Sequence, residues 1–349
     1  MRKKPKKWFV CSIVLNNIMN FCTLFDSYYL LKGLGLYLSL EKVTDDFHLY
    51  VMAFDKDCYN KLQSFNFKYM TVELLDDFET PALLEAKKDR TKAEYCWTCG
   101  PSVIYHFLTK YGLDEITYLD SDLFFLSDPH LLKDEIKNSS IVITEQGINE
   151  EMALRYGRYC VQYMTFKNDE DGLGALTWWR DRCIEWCYQI MEPTRYADQK
   201  YIDEFPKRWN NVCVLENKGA GIAPWNFHRF NYTDHSLTSN GIEYPFVFYH
   251  MHGVKFDVSD RVFYLKSLDV RLTKQVIDLF YEPYAALLMY ALNTYLGKRI
   301  TKYVIKNMPY HKVLEYSIRD FVRKSSFLTN LYFRFFHKRE ERGHGTLIN

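Results

Sequence analysis

The chain has no uninterrupted apolar run of the ~20 residues that a membrane-spanning helix needs. The stretch WFVCSIVL near the amino terminus is far shorter, and VIDLFYEPYAALLMYALNTYL is broken by Glu282 and Pro283, which reads as packed helices. MRKKPKK ahead of WFVCSIVL imitates the front of a signal peptide, but Asn16, Asn17 and Asn20 interrupt it and no small-residue cleavage site follows. Residues 1–18 are therefore expected to be an extension, with Met19 as a second candidate start. A cysteine framework is missing too: nine cysteines, an odd number, are scattered over 349 residues, unlike a secreted disulfide scaffold. A reducing, cytoplasmic setting is the simpler expectation. Cys96 and Cys99 in CWTC have zinc or redox spacing, but Cys183 and Cys187 fall one helical turn apart in an apolar stripe and read as core. Excess charge is absent as well; a net charge of +1 sets up no field for nucleic acid, and no nucleic-acid-binding motif accompanies the local basic stretches. GAGIAPWNF is glycine-rich but lacks the spacing of a dinucleotide fingerprint and the K-[ST] of a P-loop, so it reads as a loop on the acceptor side, with Trp225 stacking on a sugar or filling core.

What the chain does have is apolar substance and alternation. With 48% hydrophobic and 17% aromatic residues it can bury a full core. FCTLFD, FHLYVMAF, KYMTVELL and EITYLDSDLFF read as strands, and YYLLKGLGLYLSLEKV, YNKLQSF and SVIYHFLTKYG as helices between them. This order predicts an α/β fold with a mostly parallel, Rossmann-like sheet covered on both faces. Ligands in such sheets bind beyond the carboxyl ends of the strands. Asp120 and Asp122 stand at one of those ends, and strand alternation would turn both to one side while Ser121 faces away. Two adjacent carboxylates repel when unpaired; a divalent cation removes the conflict, and hard Mg2+ or Mn2+ suits oxygen ligands. The plainer alternative is a pair of solvated loop residues.

ITYLDSDLFFLSDP resembles the D-x-D strand of GT-A nucleotide-sugar glycosyltransferases, in particular the retaining group with glycogenin and bacterial lipopolysaccharide galactosyltransferases. FCTLFDSYYLLKGLGLYLSL, RTKAEYCWTCGPSVIYHFL, YADQKYIDEF and VFYHMHGVKF resemble that group's further motifs, in the same order, over roughly residues 20–256. The likeness is greatest to a bacterial branch found with surface-polysaccharide genes. It implies that Asp120 and Asp122 hold Mn2+ or Mg2+, with His250 or His252 as a third ligand, and that the donor is a nucleoside-diphosphate sugar, a UDP-sugar first. Thr23, Phe25, Asp26, Tyr95, Thr98, Ser121 and Lys255 are the expected donor-binding residues. Asp198 would position the sugar and Gln199 lie beneath its anomeric carbon, with retention as the expected outcome. The alternative reading of Asp198 is the cap of a following helix, which does not exclude catalysis.

Departures from the group's pattern are visible. Cys160 and Gln162 stand where it carries asparagine and glycine, and an arginine expected near Tyr95 is missing, leaving Arg90 or Lys92 as substitutes. Domains are expected at residues 19–265 (transferase) and 266–349, a helical and basic region. In the latter, Lys298, Arg299, Lys302, Lys306, Lys312, Arg319, Arg323 and Lys324 suit either a solvated face or peripheral contact with an anionic membrane at its inner surface. The expected partners are a nucleotide sugar and a glycan or lipid-linked acceptor, with no nucleic acid. Two other functions fit a D-x-D strand. One is a haloacid-dehalogenase-like phosphatase, although Phe124 stands where that family has threonine or valine; the other is a non-catalytic sugar-nucleotide or glycan binder.

Overall fold

The computed structural model describes residues 18–265, 272–308 and 347–348. In chain order its strands begin with β1 (Met19–Phe25), β2 (Phe47–Ala53), β3 (Met70–Leu74), β4 (Glu115–Leu119), β5 (Leu123–Phe125), β6 (Ile141–Glu145), β7 (Tyr159–Lys167), β8 (Val212–Val214) and β9 (Ala220–Ile222). All of these but β5 and β9 form one sheet, ordered β3-β2-β1-β4-β7-β6-β8. β1 pairs in parallel with β2 and β4, and β7 alone runs antiparallel to its neighbours β4 and β6. The expected α/β architecture with a mostly parallel sheet is therefore present.

Period-two alternation gives that sheet two apolar faces. Along β1, Phe21 and Phe25 enter one core while Cys22 and Leu24 enter the other. The first core is roofed by the helices Leu30–Val43 and Glu282–Thr294, the second by Lys92–Lys110 and Glu170–Glu185. Helix Lys92–Lys110 starts at a capping box, Thr91 with Glu94, and helix Glu170–Glu185 at Asp169, whose side chain accepts from the Gly172 N–H. Helix Leu30–Val43 has no side-chain N-cap; an unbroken buried run from Leu30 to Leu40 holds it in place. Gly33 lets it press on β1, since an added Cβ would stand 2.3 Å from the Phe25 ring.

β10 (Asn231–Tyr232), β11 (Ser236–Ser239) and β12 (Ile242–Pro245) form an antiparallel ribbon, and β13 (Phe248–His250) runs between β5 and β9. β14 (Val254–Asp257), β15 (Val262–Leu265), β16 (Val304–Asn307) and β17 (Leu347–Ile348) complete a fourth sheet.

Two elements differ from the sequence reading. EITYLDSDLFF is not one strand: the chain turns after Leu119, and β5 belongs to a different sheet from β4. The Leu123 N–H donates to the Asp120 carbonyl at 3.2 Å, so Asp120, Ser121 and Asp122 occupy a turn. Their carboxylates converge because of that turn and not because of strand alternation. Beyond residue 272 the expected helical segments appear as Lys274–Val276, a π-helical turn Ile277–Tyr281, and Glu282–Thr294, with Pro283 directly after the π turn. β16 and β17 are strands inside the region read as helical; they find partners in β15 and β14. Lys312, Arg319, Arg323 and Lys324 lie outside the described residues, as do residues 1–17. Among the described residues no helix is long and apolar enough to cross a membrane.

Candidate active site

The turn Asp120–Asp122 is pinned from two sides: the Asp120 N–H donates to the Gln162 carbonyl at 3.0 Å, and the Asp122 carbonyl accepts from the Met251 N–H at 2.9 Å. β13 pairs with β5 immediately after the turn, with His250 opposite Leu123. This pairing delivers the His250 ring to the two aspartates. One oxygen of each carboxylate and one ring nitrogen lie within 4.8 Å of one another, the one such group of three among the described residues. His250 Nε2 stands 3.0 Å from Asp122 Oδ1 and 3.9 Å from Asp120 Oδ2. His252 falls in the following turn and is exposed, its ring 5.7 Å from that of His250 and outside the group.

The surroundings fix these groups. His250 Nδ1 meets Gln162 Oε1 at 2.8 Å, which leaves Nε2 facing the carboxylates. The Tyr118 hydroxyl donates to Asp120 at 3.3 Å, and the Lys32 ammonium to Asp122 Oδ2 at 3.2 Å. The Trp225 ring stands 5.3 Å from that of His250 and 5.6 Å from that of His252, its N–H held by the Gln146 carbonyl. Burial pushes the Asp120 carboxyl up to about 6, against the pull of His250. Burial would raise Asp122 as well, but Lys32 and His250 outweigh it and hold that carboxyl well below its usual range. For His250 burial is opposed and outweighed by Asp122, so the ring holds its proton more tightly than an ordinary imidazole. Two hard oxygens and an oriented imidazole nitrogen are a donor set that fits a divalent cation, which would take the place of that proton.

Asp198 lies close enough to Asp120 to feel its charge. Asp198 is buried; burial and then the charge of Asp120 push it up to about 8. No side-chain capping bond joins it to the 3-10 helix Gln199–Glu204 that follows, so the capping alternative is not what holds it there. Its carbonyl accepts from Trp179 Nε1 at 2.9 Å, and Gln199 Nε2 donates to the Tyr156 carbonyl at 2.9 Å. Just before them, buried Ala197 is held at φ +47, the left-handed region that a side chain disfavours.

At the end of β1 the Asp26 carboxylate pairs with Lys92, and the Ser27 N–H and hydroxyl both donate to Asp55 Oδ2 at 2.9 Å. Lys92, with 65% of its side chain exposed, stands at this strand end. Arg90 is packed away, its guanidinium 3.7 Å from the Tyr188 ring centroid. Thr23 is wholly buried in β1 with a hydroxyl that has no hydrogen-bond partner, and Phe25 points into the core beneath Gly33. The Tyr95 hydroxyl donates to Glu79 at 2.7 Å and that of Thr98 to the Glu94 carbonyl at 2.8 Å, so both are engaged inside the fold. Ser121 is half-buried in the turn, and half-buried Lys255 lies in β14. Cys183 and Cys187 are buried in the second core, and burial raises the thiols of Cys96 and Cys99.

Sequence reasoning missed Lys32 and the Gln162 contact to His250. The available signal was a lone lysine in the apolar run LLKGLGLYL, where burial demands a partner.

No protein-family profile matches the sequence. The chain is 31% identical over 271 residues to the Bacillus subtilis (strain 168) uncharacterized protein YfnD, spanning 76% of this chain and 87% of YfnD. The chain belongs to the family of YfnD. A second Bacillus subtilis (strain 168) member, the uncharacterized protein YfnF, is 30% identical over 247 residues, 67% of this chain and 81% of that one. Among solved structures, the galactosyltransferase LgtC in complex with donor and acceptor sugar analogues superposes with a TM-score of 0.51 at 12% identity, covering 78% of this chain and 96% of LgtC. The YfnD-family chain thus has the GT-A glycosyltransferase fold.

Proposed function

We propose that the chain is a cation-dependent glycosyltransferase of the retaining kind. It takes a sugar from a nucleoside-diphosphate sugar, a UDP-sugar first, and passes it to a glycan or lipid-linked acceptor in surface-polysaccharide synthesis. The observation that carries the reading is the Asp120, Asp122 and His250 group at the carboxyl end of a parallel strand in a GT-A fold. Such sheets bind ligands at that end. Mn2+ or Mg2+ held there would neutralise the charge that grows on the diphosphate as the sugar–oxygen bond breaks.

The chain's own residues divide the remaining work. Asp26, Ser27, Asp55 and Lys92 cluster at the end of β1, where carboxylates and main chain can meet a ribose and a base and Lys92 a phosphate. Lys255 is proposed as a second phosphate contact and His252 as a ligand only after a local move. Asp198, protonated or not, and Gln199 are proposed to hold the sugar. Once the sugar–diphosphate bond breaks, a bond to the acceptor oxygen forms and the acceptor's proton passes to the leaving diphosphate. Trp225, half-buried beside His250, offers an aromatic face to the acceptor. The transferase unit, expected at residues 19–265, is proposed to extend through helix Glu282–Thr294, which roofs its first core, and to work in the cytoplasm, with basic residues beyond 298 at the inner membrane face.

Incubation with a panel of nucleotide sugars and a glycan acceptor pool, following released nucleoside diphosphate, tests the reading. The expected result is release from one donor that requires Mn2+ or Mg2+ and disappears in Asp120→Ala. Release of inorganic phosphate from phosphomonoesters, with no turnover of any nucleotide sugar, would overturn it in favour of a phosphatase.

A further inference from the structure

Asp122 has both carboxylate oxygens engaged. Oδ1 faces His250 Nε2 at 3.0 Å, and Oδ2 faces Lys32 Nζ at 3.2 Å. Lys32 does not reach in from the surface: its side chain is 5% exposed, it lies in the first turn of helix Leu30–Val43, and its ammonium stands 4.6 Å from the Tyr29 ring centroid. Every other residue of the stretch Leu30–Leu40 is buried too, so leucine or methionine would fill this slot without the desolvation cost of an ammonium. Folding alone therefore gives no reason for a lysine here. Its ion-pair partner among the described residues is an oxygen of a candidate metal ligand.

We propose that Lys32 is a positioning residue that sets which cation the site accepts; the inference rests on reading Asp120, Asp122 and His250 as a divalent-cation site. By holding Oδ2, Lys32 leaves Asp122 a single oxygen to give. Mg2+ and Mn2+, with compact octahedral shells, are served by single carboxylate oxygens, whereas Ca2+ takes about 6–8 oxygens and readily draws both from one carboxylate. Lys32 thus disfavours Ca2+ at a site that its two aspartates would otherwise suit. Its positive charge also weakens every dication somewhat, which keeps the ion exchangeable until an anionic donor arrives.

Calorimetric titration of the nucleotide-free protein with MnCl2, MgCl2 and CaCl2 tests this, in wild type and in Lys32→Met and Lys32→Gln, with melting curves to check folding. In Lys32→Met, Ca2+ affinity is expected to rise about tenfold more than Mn2+ affinity, because Oδ2 is released. Lys32→Gln carries no charge and its amide ends one bond short of Oδ2, so it too should raise Ca2+ affinity more than Mn2+ affinity. Lys32→Leu is read in the same way as Lys32→Met should the methionine variant fail to fold. An unchanged Mn2+/Ca2+ ratio in the apolar variants would overturn the role of Lys32 while leaving the cation site intact. Wild type that binds none of the three ions would overturn the cation site itself, and the inference with it, before any variant is compared.

Discussion

At the scale of single residues, the site depends on groups that touch the three candidate ligands without belonging to them. Gln162 is one: its Oε1 meets His250 Nδ1 at 2.8 Å, while its Nε2 is buried without a hydrogen-bond partner. Replacing it with leucine removes the orienting contact and an unsatisfied amide together. We expect Gln162→Leu to lower Mn2+ affinity by about 10- to 100-fold with little loss of melting temperature. Equal affinity in calorimetry would show that the contact is only packing. Asp198 allows a test by pH. Its carboxyl moves from an ordinary 3.8 up to about 8 in the folded chain. Between those values the folded state keeps a proton that the unfolded state has lost. Its contribution to stability is therefore full below the lower value and is lost as pH rises toward the upper one. Metal-free Asp198→Asn should melt higher than wild type by roughly 2–5 °C at pH 8, and by less at pH 5. A difference that is constant or shrinks between those pH values would contradict the buried, proton-holding carboxyl.

At the scale of elements, two segments aim the site. The link into the 3-10 helix Gln199–Glu204 carries Ala197 at φ +47, fastened by its N–H to the Tyr188 carbonyl at 3.0 Å. A side chain in that conformation costs about 1–2 kcal/mol. Ala197→Gly, normally a destabilising change, should therefore be neutral or stabilising by up to about 1 kcal/mol in denaturant unfolding. A clear loss would mean that the strain is not there. The second segment is the π-helical turn Ile277–Tyr281, where wholly buried Phe280 stacks on Tyr249 with ring centroids 4.3 Å apart. Tyr249 precedes His250 in β13, so the carboxyl-terminal helices support the strand that presents a candidate metal ligand. Phe280→Ala should cost about 3–5 kcal/mol and weaken Mn2+ binding with it. A variant that unfolds at the wild-type denaturant midpoint would show that these helices are only appended.

At the scale of the whole molecule, the parts legible in the sequence are those written in local periodicity. β1 and β2 could be read because their apolar residues alternate between two buried faces, and the edge strand β3 because Met70, Val72 and Leu74 alternate with Thr71 and Glu73. Asp120 and Asp122 could be read because their D-x-D stands in order among four further segments that resemble one group's motifs. Their convergence was expected for the wrong geometric reason, since no local pattern shows that β5 leaves the sheet of β4 to pair with β13. Lys32–Asp122 and Gln162–His250 join residues far apart in the chain, and only the packing of helix Leu30–Val43 and of β7 against the turn brings them together. The choice between His250 and His252 likewise needed the end of β13, which buries the first and exposes the second.

The central claim is that Asp120, Asp122 and His250 hold a divalent cation that brings a nucleoside diphosphate to the chain. Calorimetric titration with a panel of nucleoside diphosphates, with and without Mn2+, tests it in wild type and in an Asp120→Ala/Asp122→Ala double variant. The account predicts that one nucleotide binds wild type only when Mn2+ is present, and that the folded double variant does not bind it. Binding that is indifferent to Mn2+ and to the double substitution, or no binding of any nucleotide by folded wild type, would contradict it.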